Sequence, residues 1–372
     1  MRVAIDARLL AYQSAGTSTY IRGIVQGLRE AEPGLDLLAI ASRKDPALSG
    51  LDDTPRRLAW TPSHHRWERW TLGVELANLA VDVLHSPDFI PPARLGRRWA
   101  RVITVHDLAF LRFPDLLTPD SRRYYGQINR ATTEAERIIA VSESTRSDLL
   151  SFLSPSVADK ITVVPEGVAS AFSPGHPDES RVTIQDRFGI ATPYFLFVGT
   201  IEPRKNLPRL IRAFQEFQAK LRLPDVCLVI AGRRGWLAEE TDHALAAAGD
   251  SVKYVGRVPL VDLIALYRGA LALILVSLYE GFGLPVLEAM ACGTPTLVAG
   301  TGSLPELVGD AGVVVDPEDE AAIVSALLRL WIDAEWRGEL ARRGLIRSQS
   351  YRWPEVARQT ADVYRQAVAC AS

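Results

Sequence analysis

Glu280-Gly281-Phe282-Gly283-Leu284-Pro285-Val286-Leu287-Glu288-Ala289-Met290-Ala291-Cys292-Gly293-Thr294-Pro295 is the stretch on which the reading of this chain turns. An apolar run at 271–276 precedes it and another at 296–299 follows, so it joins two buried strands. Its spacing predicts a short helix over 284–292. Pro285 suits the first turn, where its missing N–H costs nothing, and Gly293 suits the stop. Glu280 then lies in the loop and Glu288 about one turn inside the helix. Gly281 and Gly283 let backbone approach a ligand closely. The helix start offers unpaired N–H groups to an anion. A cradle with one carboxylate before it and one after it suits a phosphorylated, hydroxyl-rich ligand.

Outward from this stretch the chain alternates strands and helices. Short apolar runs at 3–6, 37–41, 83–85, 102–105, 138–141 and 161–164 are separated by helical patterns, the first over 17–29. Runs at 194–198, 226–231, 252–256, 271–276, 296–299 and 312–315 repeat the scheme, with a clear helix over 207–221. Beyond Glu318 the pattern is almost all helical. This is the signature of parallel sheets covered by helices. At 372 residues, two domains are expected. The Pro/Gly/Ser/His-rich residues 170–177 read as the link between them. Two doubly wound α/β domains place a ligand at the carboxyl ends of their strands, in a cleft between them.

Several further residues fall at strand ends. Gly199-Thr200-Ile201-Glu202-Pro203-Arg204-Lys205-Asn206 opens the first helix of the second half, with Asn206 as its expected N-cap. Arg204 and Lys205 are either a solvated surface pair or the cations a diphosphate needs, and their position favours the second. His106, in Thr104-Val105-His106-Asp107-Leu108, is either a structural histidine bonded to backbone or a donor to a sugar hydroxyl or developing charge. Gly16 precedes the first helix and could aim backbone N–H groups at a phosphate. The paired glycines of a dinucleotide fingerprint are absent, which disfavours a nicotinamide enzyme. Arg257 and Val258, after the run at 252–256, could line a base or phosphate pocket.

Trp60, Trp67 and Trp70 lie among His64, His65, Arg66 and Arg69. They suit sugar stacking or a membrane interface, and equally the start of a packed helix continued by Leu72, Leu76 and Leu79. Arg94, Arg97, Arg98 and Arg101 read as solvated surface. Composition narrows the classes. The chain is 48% hydrophobic and 23% charged with a net charge of −2, and neither half gathers the basic residues of a nucleic-acid binder. Cys227, Cys292 and Cys370 are few and scattered, as in a reduced cytoplasmic protein. The N-terminus begins directly as a strand, leaving no room for a signal peptide, and no apolar run approaches a membrane span. No Asp-x-Asp pair, His-x-x-x-His helix or Cys-x-x-Cys asks for a metal.

Taken together, residues 280–295, Pro203-Arg204-Lys205-Asn206, Val164-Pro165-Glu166-Gly167-Val168 and the His106 loop resemble the family 4 retaining glycosyltransferases. The resemblance spans nearly the whole chain. It implies the GT-B fold: α/β, two facing Rossmann-like doubly wound domains with a cleft between them. The first covers 1–168, with a C-terminal helix at about 354–372 crossing back onto it from the Tyr351-Arg352-Trp353-Pro354 turn, and the second covers 169–353. The resemblance assigns Glu288 to the ribose of the nucleotide and Glu280 to donor-sugar hydroxyls. It sets the backbone of Phe282, Gly283 and Leu284 against sugar and phosphate, Arg204 and Lys205 on the diphosphate, and His106 near the sugar. Two departures stand out. Ala15 precedes Gly16 where the family usually has two glycines, and Glu166 stands where it often has Asn.

The expected activity is metal-independent transfer of a hexose from a nucleoside-diphosphate sugar to a saccharide or lipid-linked acceptor, with retention and without a cofactor. The Val105-His106-Asp107-Leu108 and Phe113-Pro114 pattern looks most like bacterial mannosyltransferases of surface-polysaccharide assembly. GDP-mannose is therefore the first donor and UDP-glucose the second. A UDP-glucose- or ADP-glucose-dependent glucan synthase-like enzyme is the alternative among enzymes, and a non-catalytic nucleotide-sugar scaffold the alternative outside them. The expected place is the cytoplasm, with a peripheral contact on the inner face of the membrane.

Overall fold

The computed structural model describes residues 1–372 apart from 13, 14, 47, 49, 52, 97, 98, 117, 118, 223–225 and 372, and apart from the side chains of 15, 116, 119–121 and 177. The chain divides into two compact units, Met1–Gly167 with Tyr351–Ser372, and Val168–Ser350. The return to the first unit begins at Tyr351, ahead of the expected 354, because Trp353 is already buried in the first unit's core.

In the first unit, β1 (Arg2–Asp6), β2 (Asp36–Ser42), β3 (Arg56–Ala59), β4 (Val83–Ser86), β5 (Ala100–Val105), β6 (Arg137–Ala140) and β7 (Ile161–Val163) form one parallel sheet in the order β3-β2-β1-β4-β5-β6-β7. Every residue of β4 and β5 is buried, which is why these strands read as continuous apolar runs. The expected strands match β1, β2 and β4 to β7. β3 went unpredicted because it is an edge strand whose Arg56, Arg57 and Leu58 are exposed, so it has no apolar run to betray it. The helix Ala15–Ala31 lies against the final helix, Trp353–Ala371, and Tyr20, Ile24 and Leu28 share a core with Val356, Ala361 and Tyr364. The approach is close: a Cβ at Gly23 would stand 1.9 Å from the Trp353 ring.

In the second unit, β8 (Tyr194–Val198), β9 (Cys227–Ala231), β10 (Val252–Gly256), β11 (Leu273–Leu275), β12 (Thr296–Ala299) and β13 (Val313–Val315) form a parallel sheet in the order β10-β9-β8-β11-β12-β13. All six were expected. The helix Leu207–Leu221 buries Leu207, Leu210, Ile211, Phe214 and Phe217 on one face, the 3.6-residue pattern that made it legible. Residues 170–177 are part of this unit rather than a loose link: Phe172 is buried with its ring 6.0 Å from Tyr267, and Arg268 donates to the Ser173 carbonyl.

Candidate active site

The second sheet reverses its order between β8 and β11, the place where parallel α/β sheets bind ligands. The chain leaving β8 makes one tight turn, Pro203–Lys205. The chain leaving β11 runs through residues 277–283 into the helix Leu284–Ala291, with Pro285 in its first turn. Gly283 precedes that helix at φ +109°, a backbone that L side chains rarely adopt.

Glu280 joins the two loops. Its Oε1 accepts from Lys205 Nζ at 2.5 Å and from Ser277 Oγ at 2.7 Å, and its Oε2 accepts from Arg204 at 2.9 Å. Glu202 holds the other side of Arg204 at 2.7 Å. Two cations and two carboxylates thus form a quartet without net charge. Its members are buried except for Arg204, whose side chain is 21% exposed. Burial works to raise the Glu280 pKa, but the charges of Lys205 and Arg204 and the hydrogen bonds from Lys205 and Ser277 outweigh it and hold the group at about 2. A carboxylate has about four lone-pair sites, and three are filled here. Among the described residues no second donor reaches Oε2, which leaves one site there. Deeper in the helix, the half-buried Glu288 accepts from the buried Tyr267 hydroxyl at 2.7 Å. Burial, then the Glu288 charge, keeps that phenol protonated far above its usual range.

The first sheet reverses between β1 and β4. His106 follows β5, and both its ring nitrogens are engaged: Nε2 donates to the Pro87 carbonyl at 2.8 Å, and Nδ1 meets Glu166 Oε1 at 2.7 Å. Tyr20 stands edge-on to the ring at 4.9 Å. Beneath it runs a buried chain of hydrogen bonds: Tyr20 hydroxyl to Thr104 at 3.0 Å, Thr104 to His85 Nε2 at 2.8 Å, and His85 Nδ1 to the Tyr364 hydroxyl at 2.8 Å. Burial, helped by the charge of His106, lowers the His85 pKa to about 3, so His85 is neutral. At the ends of β1 and β4, the buried Arg8 bonds Asp6 and Glu68, both at 2.6 Å, and Asp88 accepts from Tyr124 at 2.7 Å and lies 2.9 Å from His64 Nε2. His64, Arg66, Arg123 and Tyr124 help line a cavity of about 310 Å³.

Known proteins place this architecture. The model for Glycosyltransferase Family 4 matches residues 14–172, and that for Glycosyl transferases group 1 matches residues 184–345. The O-antigen chain mannosyltransferase B of Escherichia coli is 34% identical over 308 residues, 81% of this chain and 78% of that protein. The chain belongs to the glycosyltransferases. A D-inositol 3-phosphate glycosyltransferase of Acidothermus cellulolyticus is 32% identical over 309 residues, 77% of this chain and 68% of that one. Sucrose-phosphate synthase of Thermosynechococcus elongatus shares the fold at a TM-score of 0.80, covering 99% of each chain at 21% identity. The fold is GT-B.

In this glycosyltransferase Arg204, Lys205 and Glu280 are brought together, with Phe282 buried beside them and Leu284 half-buried at the helix start. Arg257 and Val258 follow the edge strand β10, two strands from β8 on the same carboxyl edge. Gly16 is not in a loop before the first helix but inside its first turn. Asn206 does not cap the helix after it. It adopts φ +59°, and its amide donates to the carbonyls of Val276 and Pro317, tying three loops together. Arg94 and Arg101 are not solvated surface, for both pair with Glu136; Arg97 and Arg98 lie outside the described residues. The tryptophan stretch runs into the helix Glu68–Glu75, as its packed-helix reading expects. Leu72 and Leu76 are buried, while Trp67, Trp70 and Val74 stand on an exposed face at 53%, 48% and 66%. Arg66 and Arg69 lie over the Trp67 and Trp70 rings, and Arg43 over Trp60.

Sequence reasoning missed Glu202 in the quartet, the Ser277 hydroxyl that donates to it and the partnership of Glu166 with His106. The first had a signal in Glu202-Pro203-Arg204-Lys205, an acid placed beside two bases. The others had none, since their partners are distant or unremarkable in sequence. Among the described residues no group of three His, Cys, Asp or Glu side chains gathers as metal ligands, and no helix is long and apolar enough to cross a membrane.

Proposed function

We propose that this glycosyltransferase moves mannose from GDP-mannose to a hydroxyl of a saccharide or lipid-linked acceptor, with retention and without a bound metal. The observation that carries the reading is the Glu202–Arg204–Lys205–Glu280 quartet at the reversal of the second sheet, beside the start of the helix Leu284–Ala291. Departure of a nucleoside diphosphate develops negative charge, and preorganised cations and N–H groups at that point lower the barrier. Arg204 and Lys205 supply the cations, and the backbone from Phe282 to Leu284 supplies the N–H groups. Arg204 is the exposed member that can turn to the diphosphate with two N–H groups. The open lone pair of Glu280 takes one sugar hydroxyl, Glu288 takes the ribose, and Arg257 with Val258 edges the base. Mannose is favoured by the E. coli relative, whose name is that of a mannosyltransferase. The exposed Trp67, Trp70 and Val74 face, with its arginines, suits a peripheral contact with an anionic bilayer that carries the acceptor.

The test is transfer and hydrolysis across GDP-mannose, UDP-glucose and ADP-glucose, each with and without EDTA. The expected result is turnover of GDP-mannose that survives chelation. Turnover of UDP- or ADP-glucose alone would overturn the donor, loss in EDTA restored by magnesium would overturn the charge assignment, and nucleotide binding without any turnover would make the protein a scaffold.

A further inference from the structure

His106 sits between two hydrogen-bond acceptors. A carbonyl oxygen can only accept, so Nε2 must carry a proton for Pro87, and Nδ1 faces a Glu166 oxygen at 2.7 Å. Either Glu166 is a carboxylate and the ring an imidazolium, or Glu166 is protonated and the ring neutral. The surroundings decide. Asp88, next to Pro87, adds a second negative charge on the β4 side, and His85 on the same strand is neutral and does not compete. The Tyr20 ring stands perpendicular to that of His106 and keeps its own proton, because burial holds the phenol pKa far above the usual range. Asp107, the next residue, turns its carboxylate to the backbone N–H of Ala109. Burial alone would lower the His106 pKa, but the Glu166 hydrogen bond and charge, then Asp88, raise it above the ordinary value.

We propose that Glu166 is a positioning residue that holds His106 as an imidazolium, so that His106 serves transfer as a fixed cation and never as a base. This rests on the reading that His106 belongs to the transfer site. It gives the departure at 166 a physical meaning, because an amide there could orient the ring but could not balance its charge. Glu166 is itself held in place: it is buried, and Trp353 packs against the adjacent Gly167.

The test uses the full chain labelled with 15N-histidine, in wild type, Glu166→Gln and Glu166→Asp, each with transfer measured against pH. In wild type the His106 ring nitrogens should both report N–H at pH 7, and kcat should fall as pH rises through the raised His106 pKa. In Glu166→Gln the His106 titration and the fall in kcat should move together to lower pH, with kcat about tenfold down at pH 8 and the donor KM little changed. Glu166→Asp should restore part of both. A neutral His106 in wild type at pH 7, or a His106 titration unmoved by Glu166→Gln, would overturn the proposal. A titration that moves while kcat does not would overturn the link to transfer. The nitrogen spectra read the charge whether or not any sugar is transferred, so an inactive wild type would count against the proposed activity and not against the Glu166–His106 pair.

Discussion

At the reversal of the second sheet four charged side chains neutralise one another, whereas inside the first unit one buried run of hydrogen bonds, from Tyr364 through His85 and Thr104 to Tyr20, carries no charge. The contrast shows two ways to keep polar atoms away from water. A neutral chain needs only that each donor find an acceptor. A charged quartet also needs every member present, because the loss of one strands a full charge in a low-dielectric place. The first arrangement suits a support; under the proposed function the second lets an arriving diphosphate take over part of the attraction that binds Arg204 to its carboxylates.

The most damaging way to break this contrast is Glu280→Ala. Lys205 then keeps its burial and loses its partner, and the second unit should lose roughly 3–5 kcal/mol, read by urea unfolding. Transfer should fall with it. Glu280→Gln keeps the shape and part of the hydrogen bonding and should unfold closer to wild type. Equal damage from both would show that charge and not shape holds the two loops together.

Acid should separate the two centres in order. His85 has its pKa lowered in the fold, to about 3, against an ordinary value of 6.5. The unfolded chain binds that proton first, so stability drops as pH falls from 6.5 toward 3. Glu280 is held at about 2 against 4.5, so its contribution is complete above 4.5 and is lost between there and about 2. Hydrogen exchange followed by fragment should show the first unit weakening before the second. The reverse order, or an acid response of the first unit unchanged in His85→Gln, would remove His85 as its cause.

A smaller effect should distinguish the two glutamates of the second unit. Hydrogen bonds to a charged group contribute roughly 1.5–3 kcal/mol, so Glu288→Ala should weaken nucleoside diphosphate binding by about ten- to a hundredfold in calorimetry. Glu280→Gln should leave that affinity nearly intact and lower the rate of transfer, because the proposed function gives Glu280 to the sugar, which the free nucleotide lacks. Opposite behaviour would exchange the two roles. Smallest in the folded protein is Trp67→Ala with Trp70→Ala: both rings are exposed, so stability should change by less than about 0.5 kcal/mol. Sedimentation with anionic vesicles should fall in the same variant. Unchanged vesicle binding would remove this face from the proposed membrane contact.

What the sequence made legible follows from how these sheets are buried. Parallel strands covered on both faces leave apolar runs, so β4, β5 and the second unit's inner strands β8, β9, β11 and β12 are legible, while β3, an edge with two arginines, is not. The glutamate loop was readable because its glycines, proline and helix lie within sixteen consecutive residues, 280–295. Pairings across the fold were not. His106 and Glu166 are 60 residues apart, and Arg204 and Glu280 are 76 apart, and nothing periodic links them. Asn206 misled for a related reason: Asn before a helix usually caps it, but here a left-handed backbone turns the side chain to two carbonyls on other loops.

The last helix has a consequence for how the protein is made. Residues 168–350 are a complete unit whose whole sequence has left the ribosome while the first unit still lacks Trp353, Tyr364 and the apolar face that fills its core. The unit that begins the chain is therefore the one that finishes last. Until residues 351–371 emerge, the groove beside Gly23 and Gly27 stays uncovered, and the His85 hydrogen-bond chain lacks its final hydroxyl. Synthesis in order from the N-terminus normally lets early domains settle first; here the order of birth and the order of completion are reversed.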